Sequence, residues 1–174
     1  LLKDMQEFNF DIVQSGLVSY QNHGFWDSAE EQSWQLVQNI PGQRKMIGTA
    51  PAIYHKRVFN YEKFDDRITE TIDDTDFSYR LSKHSEVRMG VGKTNIAQYH
   101  FSNFNTYFKK FLWYGKGDGE FCLKNPQRSI FMVFHLLIRY PFIYPLKAFY
   151  NKKFKASIFF MTQGFLRFFG LSRF

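Results

Sequence analysis

The chain has 174 residues, a formal net charge of +7 and an aromatic content of 20%. This length is sufficient for one domain with its own hydrophobic core. The single cysteine, Cys122, excludes an internal disulfide and favours a reducing compartment, and the opening LLKDMQEFNF is too short and too polar for a signal peptide.

The first half of the chain predicts strands and helices in alternation. Residues 10–17 have the composition of a strand, and residues 30–40 carry apolar side chains at helical spacing until Pro41 and Gly42 end the helix. We expect a short buried strand at 46–47 and a helical turn at 56–59.

Small residues stand between that strand and that turn: Gly48, Thr49, Ala50 and Ala52. A run of small side chains lets another molecule approach the backbone closely. An ordinary buried crossing of the chain explains the same residues equally well.

The second half of the body predicts two helices and a strand. Residues 75–84 follow helical spacing, and residues 86–92 alternate like a strand. The segment NFNTYFKKFLWYGKGDG predicts a helix with an aromatic and basic face that ends at Gly115 or Gly117. Residues 1–120 are therefore expected to form a mixed α/β body.

The end of the chain, residues 121–174, carries nine basic residues and no acidic one. Its uncharged runs are interrupted by Arg139 and by lysines at 147–155, and Pro141 and Pro145 are expected to break a helix. This pattern predicts a basic, Phe-rich helical tail that lies in the headgroup region of an anionic membrane rather than crossing it. The alternative is a set of helices packed on the body or on a partner.

Four acidic residues gather between Glu70 and Asp76, where a helix is expected to begin. Three interpretations remain open for Asp73, Asp74 and Asp76. Carboxylates in a first turn satisfy free N–H groups and complement the helix dipole. Asp74-Thr75-Asp76 also matches an Asp-x-Asp metal-binding pattern, and a carboxylate fixed at a helix start can serve as a general base.

Three segments taken in order, MIGTAPAIYHKRVF, FDDRITETIDDTDFSYRL and YFKKFLWYGKG, resemble the second half of family 2 glycosyltransferases. The resemblance is to the bacterial enzymes of polysaccharide, O-antigen and capsule synthesis. It implies a partial GT-A fold, namely the acceptor-side half of a mixed sheet with flanking helices, followed by C-terminal amphipathic membrane-surface helices. It also implies transfer of a sugar, with inversion, from a nucleotide-diphosphate donor to an acceptor hydroxyl.

The resemblance assigns roles to individual residues. Asp74 is implied to be the general base, with Asp73 as its partner and with Asp76 and Arg80 in support. The acceptor side is implied to include Gly48, Thr49, Ala50 and Arg57. The region of the donor diphosphate and acceptor is implied to include Lys109, Lys110, Trp113, Tyr114 and Lys116. His100 is a weak candidate for a metal ligand.

No segment of this chain resembles the donor-binding half of the family. We expect that half ahead of Leu1. A divalent metal, Mg²⁺ or Mn²⁺, is implied by the family only. The Asp-x-Asp site that holds this metal belongs to the family's donor-binding half and is absent from this chain. The expected partners are a nucleotide-diphosphate sugar, a glycan or lipid-linked acceptor and an anionic membrane, at the cytoplasmic face of the cell membrane. These residues alone are expected to be inactive.

A different class of function also fits the composition. A non-enzymatic module in which aromatic and basic side chains alternate could bind an anionic membrane or a single-stranded nucleic acid. The segregation of the basic residues among long apolar runs makes nucleic acid the less favoured partner.

Overall fold

The chain forms an α/β structure with four strands in one open, mixed sheet. The computed structural model describes residues 1–20, 24–48, 51–99 and 103–173, so the predicted sites at Thr49, Ala50 and His100 lie outside the described residues. The strands are β1 (Ile12–Ser19), β2 (Gly42–Arg44), β3 (Ala52–Tyr54) and β4 (Met89–Gln98). The predicted class, α/β with a mixed sheet and flanking helices, is confirmed at this coarse level.

The two long strands form the centre of the sheet. β1 and β4 pair in parallel from Ile12 opposite Met89 to Ser19 opposite Gln98, while β2 lies antiparallel to β4 and β3 antiparallel to β1. The residues of β1 from Ile12 to Leu17 are all buried, as expected for a central strand covered on both faces. The spatial order is β2, β4, β1, β3.

The helices of the body precede and follow these strands. They are α1 (Leu2–Phe8), α2 (Phe25–Val37), a 3₁₀ turn (Lys56–Asn60), α3 (Asp73–Leu81) and α4 (Phe104–Lys124). The sheet and α3 share a core that includes Ile12, Met89, Phe77 and Leu81. The apolar face of α3 therefore fixes the direction of the side chains in its first turn relative to the sheet.

The C-terminal end is helical, as its sequence predicts. A continuous run from Pro126 to Tyr150 consists of a 3₁₀ turn (Pro126–Arg128), α5 (Ser129–Phe134), a π-helical segment (His135–Ile143) and α6 (Tyr144–Tyr150). The last helix, α7 (Phe154–Leu171), packs against α2, α4, α6 and the π-helical segment. The expected boundary between body and tail, at 120/121, falls inside α4.

The prediction that Gly115 or Gly117 ends α4 is wrong, because the helix continues to Lys124. Gly115 instead permits a close approach of α7. A Cβ atom at Gly115 would lie 2.1 Å from the carbonyl oxygen of Arg167, and one at Gly170 would lie 2.3 Å from that of Leu112. The small residues are thus at a helix–helix contact rather than at a helix end.

The prediction that Pro141 and Pro145 break the helix is also wrong. Pro141 lies within the π-helical segment, at the end of which the Tyr144 N–H donates to the carbonyl of Arg139, five residues earlier. Pro145 lies in the first turn of α6, where a missing N–H costs little. The π register therefore carries the chain past both prolines without a break.

The run Pro126–Tyr150 meets the length and composition of a membrane span, and 11% of its most apolar stretch is buried within the described chain.

Smaller differences concern the strands. Residues 46–47 are not a strand, and the antiparallel partner of β4 is the preceding segment, Gly42–Arg44. β4 begins at Met89 and extends to Gln98, beyond the predicted 86–92. Its last residues are mostly exposed, and for this reason the apolar alternation does not reveal them.

Candidate functional site

A cavity of about 270 Å³ lies beside the start of α3. Its polar lining comes from separate parts of the body: Gln14, Gly48, Asp74, Gln98, Lys110 and Tyr114. Its aromatic wall comes from the C-terminal helices and includes Tyr140, Tyr144, Phe159 and Phe160. The body and the tail that the sequence separates therefore share one cavity.

Asp74 is the acidic residue of the α3 start that lines this cavity. The residue is half-buried, and its Oδ1 accepts hydrogen bonds from the Thr75 N–H at 2.6 Å and the Thr75 hydroxyl at 3.1 Å. Its Oδ2 lies 3.3 Å from the place that a Cβ atom on Gly48 would occupy. One carboxylate oxygen is thus fixed by its neighbour while the other lies next to Gly48.

Gln14 positions the Gly48 backbone. Its Oε1 accepts a hydrogen bond of 2.9 Å from the Gly48 N–H, and Gln14 itself is buried in β1. A side chain at Gly48 would lie in contact with both Asp74 and Gln14. The absence of a side chain at this position therefore keeps the approach to the Asp74 carboxylate clear.

Asp73, the expected partner of Asp74, is exposed at the helix start. Burial raises the pKa of the nearby Tyr54 to about 12, and the charges of Asp74 and Asp73 add to this effect. The Tyr54 hydroxyl therefore stays protonated at neutral pH, close to both carboxylates.

The candidates on α4 divide between two faces of the helix. Lys110 and Tyr114, one turn apart, line the cavity, whereas Lys109, Trp113 and Lys116 are exposed. Lys110 Nζ lies 3.1 Å from a carboxylate oxygen of Glu30, whose other oxygen accepts a hydrogen bond from Tyr107. This buried pair ties α4 to α2 and holds the Lys110 ammonium at the edge of the cavity.

Arg57 lies on the 3₁₀ turn, where its guanidinium pairs with Asp11. Asp11 Oδ2 also accepts a hydrogen bond of 3.0 Å from the Arg88 N–H. Burial opposes ionisation of Asp11, but these hydrogen bonds and the Arg57 charge hold its pKa below the ordinary value. In this conformation the Arg57 side chain joins the turn to the sheet.

Asp76 and Arg80 form part of a structural ion network. Asp76 is fully buried, and its Oδ2 lies 2.8 Å from both Arg80 Nε and Lys124 Nζ. Arg80 also contacts Glu62, and Lys124 contacts Asp65 at 2.7 Å. These pairs attach the segment before α3 to α3 and α4, and they explain Glu62, Asp65 and Asp76 as structural charges.

The residues of Asp74-Thr75-Asp76 do not fit a divalent metal. Asp76 is neutralised by two cations, and its position in the core differs from that of Asp74 at the cavity. Within residues 1–20, 24–48, 51–99 and 103–173, no group of three His, Cys, Asp or Glu side chains could hold a metal ion.

Sequence reasoning missed Gln14, Glu30 and the tyrosines of the tail as parts of the site. Gln14 gives a signal, since it is a polar residue inside an otherwise apolar strand pattern. Tyr140 and Tyr144 give none, because their place in the wall depends on how the C-terminal helices pack.

Neither a protein-family model, a curated protein nor a solved structure matches this chain. The function proposed below therefore depends on the sequence resemblance and on the geometry of the site.

Proposed function

We propose that this chain is the acceptor-side half of an inverting glycosyltransferase with a GT-A fold, and that Asp74 is its general base. One observation carries the proposal. Among the acids at the start of α3, Asp74 lines a cavity and lies beside Gly48, while Asp73 is exposed and Asp76 is neutralised in the core. This is the residue to which the resemblance assigns the base.

The proposed reaction uses Asp74 Oδ2, the carboxylate oxygen beside Gly48, as a proton acceptor. The acceptor-sugar hydroxyl transfers its proton to Asp74, and the hydroxyl oxygen attacks the anomeric carbon of the donor. As the new carbon–oxygen bond forms, the bond from that carbon to the diphosphate breaks, and its electron pair leaves with the nucleoside diphosphate. Attack opposite to the leaving group inverts the anomeric configuration.

The surroundings of Asp74 suit this role. The Thr75 hydrogen bonds orient the carboxylate, and Gly48 leaves room for a hydroxyl beside it. A general base must lie within hydrogen-bond reach of the proton that it removes. Aromatic side chains of the tail, such as Tyr140 and Phe160, offer faces on which a sugar ring can stack. A divalent metal, where the complete enzyme uses one, belongs to the donor half.

We further propose that the tail lies on the cytoplasmic face of the cell membrane. The run Pro126–Tyr150 exposes one apolar row: Ile130, Phe134, Ile138, Phe142, Leu146 and Phe149. α7 exposes another: Phe154, Ile158, Met161, Phe165 and Phe169. Exposed apolar surface of this extent is typical of a membrane or protein interface, and the excess of basic residues favours anionic lipid.

The test of the base is Asp74→Asn in the complete enzyme, that is, together with a donor-binding half. A general base contributes a factor of about 10²–10⁴ to the rate, so we expect transfer to fall by that factor while the melting temperature is unchanged. Asp66→Asn, an exposed change in the same segment, is the matched control. Near-normal turnover in Asp74→Asn would exclude the role.

The rival function is a non-enzymatic module that binds anionic membrane or single-stranded nucleic acid through exposed aromatic and basic residues. Sedimentation with anionic vesicles, alongside a salt-dependent oligonucleotide titration, separates the candidates. Tight oligonucleotide binding without vesicle binding would favour the nucleic-acid module over the proposed transferase.

A further inference from the structure

A second cavity, of about 750 Å³, adjoins the first and shares Gln14, Gly48 and Tyr144 with it. It lies between the segment that follows β2 and the inner side of the helical run Pro126–Tyr150. Five cationic side chains line it: Arg44, Lys45, Arg128, Arg139 and Arg167. The acidic residue in its lining is Asp118. The cavity is therefore strongly positive.

Asp118 compensates only one of these charges. It forms a bidentate pair with Arg167, with donor–acceptor distances of 2.8 and 2.6 Å. Within the described part of the chain, Arg44, Lys45, Arg128 and Arg139 have no carboxylate within 4.0 Å. The cavity thus brings together four cations that have no carboxylate counter-ion among the residues that the structure describes.

The contacts of these cations hold them in place without neutralising them. Arg44 donates to the carbonyl of Ile40 at 2.5 Å, while Arg128 lies 4.3 Å from the ring centre of Phe131 and Arg139 lies 5.2 Å from that of Tyr144. Arg128 Nε is buried and has no hydrogen-bond partner among the described residues. Cation–π contacts orient a guanidinium but leave its charge intact.

The histidine in this cavity reflects the same positive field. Burial, followed by the charges of Arg167, Arg139 and Arg128, lowers the pKa of His135 to about 3. The imidazole is therefore neutral at physiological pH, and its buried Nδ1 has no partner within the described chain. Burial and the neighbouring arginines both disfavour a further positive charge at this position.

We infer that this cavity binds the phosphate or diphosphate group of a ligand. Clustered cations repel one another unless an anion lies among them, and guanidinium groups bind phosphate oxygens in bidentate fashion. The volume admits a diphosphate together with part of the group that it carries. Gly48 lines both cavities and lies beside Asp74 Oδ2, so a ligand that extends past Gly48 would come close to the Asp74 carboxylate.

This inference rests on the proposed function. A phosphate group bound here would belong to the acceptor or to the leaving nucleoside diphosphate, and it would keep that molecule next to the base. Two sources share the chemistry, a phosphorylated lipid and a nucleoside diphosphate. The lipid has one argument in its favour: the helical run that lines the cavity with Arg128 and Arg139 exposes Ile130, Phe134 and Ile138 on its outer side.

The test is calorimetric titration of the chain with inorganic pyrophosphate. Loss of one charged contact weakens binding by about tenfold or more, so we expect Lys45→Gln/Arg139→Gln to bind about 100-fold more weakly than the parent. Lys3→Gln/Lys83→Gln, with the same change in net charge at exposed positions, should bind like the parent. Lys45→Gln alone changes an exposed residue and should weaken pyrophosphate binding about tenfold, so the test holds even if the double variant misfolds.

Two further probes identify the source. Stronger binding of uridine diphosphate than of pyrophosphate indicates a nucleotide, and preference for phosphatidylcholine vesicles that contain phosphatidic acid over those that contain phosphatidylglycerol indicates a lipid phosphate. Absence of saturable pyrophosphate binding, or equal weakening by both double variants, overturns the inference. Pyrophosphate binding that persists while Asp74→Asn transfers sugar normally would overturn the proposed base alone.

Discussion

Replacing Asp118 with Asn should destabilise the fold more than any comparable change in a surface ion pair. Asp118 is 1% exposed, and both of its oxygens accept hydrogen bonds from the Arg167 guanidinium. Burial alone would lower the pKa of Arg167, but Asp118 and the Tyr140 hydroxyl at 3.3 Å raise it above the ordinary value. A guanidinium is not deprotonated in proteins, so Arg167 stays charged when its partner is removed.

The expected loss follows from the charge left behind. Removing one partner of a buried ion pair costs about 3–5 kcal/mol, because the other charge stays desolvated and uncompensated. For a chain of this length, that corresponds to a fall in melting temperature of about 6–20 °C. Glu7→Gln is the matched control, because it breaks the exposed pair with Lys93 and should cost about 0–1 kcal/mol.

Urea unfolding of five proteins measures this loss of stability: the parent, Asp118→Asn, Asp118→Leu, Arg167→Met and the double variant Asp118→Leu/Arg167→Met. Replacing a whole buried pair by apolar residues is often neutral, so the double variant should be more stable than either single variant. Single-variant losses no larger than that of Glu7→Gln would refute the reasoning, as would losses that simply add in the double variant.

Two further predictions concern packing and pH. Gly115→Ala should lower the free energy of unfolding by about 1–3 kcal/mol, because its Cβ meets the Arg167 carbonyl oxygen. Urea unfolding measures this, with Lys116→Ala at an exposed position of the same helix as the control. A Gly115→Ala protein more stable than the control would contradict the prediction. The depressed pKa of Asp11 stabilises the fold above the ordinary value of 3.8, and this contribution is lost as the pH falls through the folded-state pKa. Melting temperature against pH should therefore be flatter in Asp11→Asn, and equal slopes would contradict the assignment.

The periodic elements of the fold could be predicted from the sequence. The strand predicted at 10–17 and the helix predicted at 75–84 follow from apolar spacing, and the structure has them at Ile12–Ser19 and Asp73–Leu81. The helical tail follows from its basic, Phe-rich composition. The glycines of α4 and the prolines of the tail misled the prediction for a common reason. Both are helix breakers in isolation, and tertiary packing or a π register accommodates both here.

The charged residues of the tail show a second limit. Their excess suggests contact with anionic lipid, yet two of these lysines bind the last turns of α2. Lys147 donates to the backbone carbonyl of Leu36 at 2.7 Å, and Lys153 donates to the side-chain oxygen of Gln35. Cations are favoured at a helix C-terminus, where carbonyl groups lack partners. Composition cannot distinguish a lysine that serves a helix end from one that is free to meet a membrane.

The acidic segment shows why the candidate site was only partly predictable. Asp73, Asp74 and Asp76 stand in one helical turn, so each points in a different direction. The apolar residues Phe77 and Leu81 fix the face of α3 that meets the sheet, and Asp76 is carried inward to Lys124, which lies 48 residues later. Asp74 borders a cavity only because Tyr140 and Phe160, on the C-terminal helices, form the wall of the space beside it. Local sequence thus specifies three distinct environments, and residues distant in the chain decide that one of them borders a cavity.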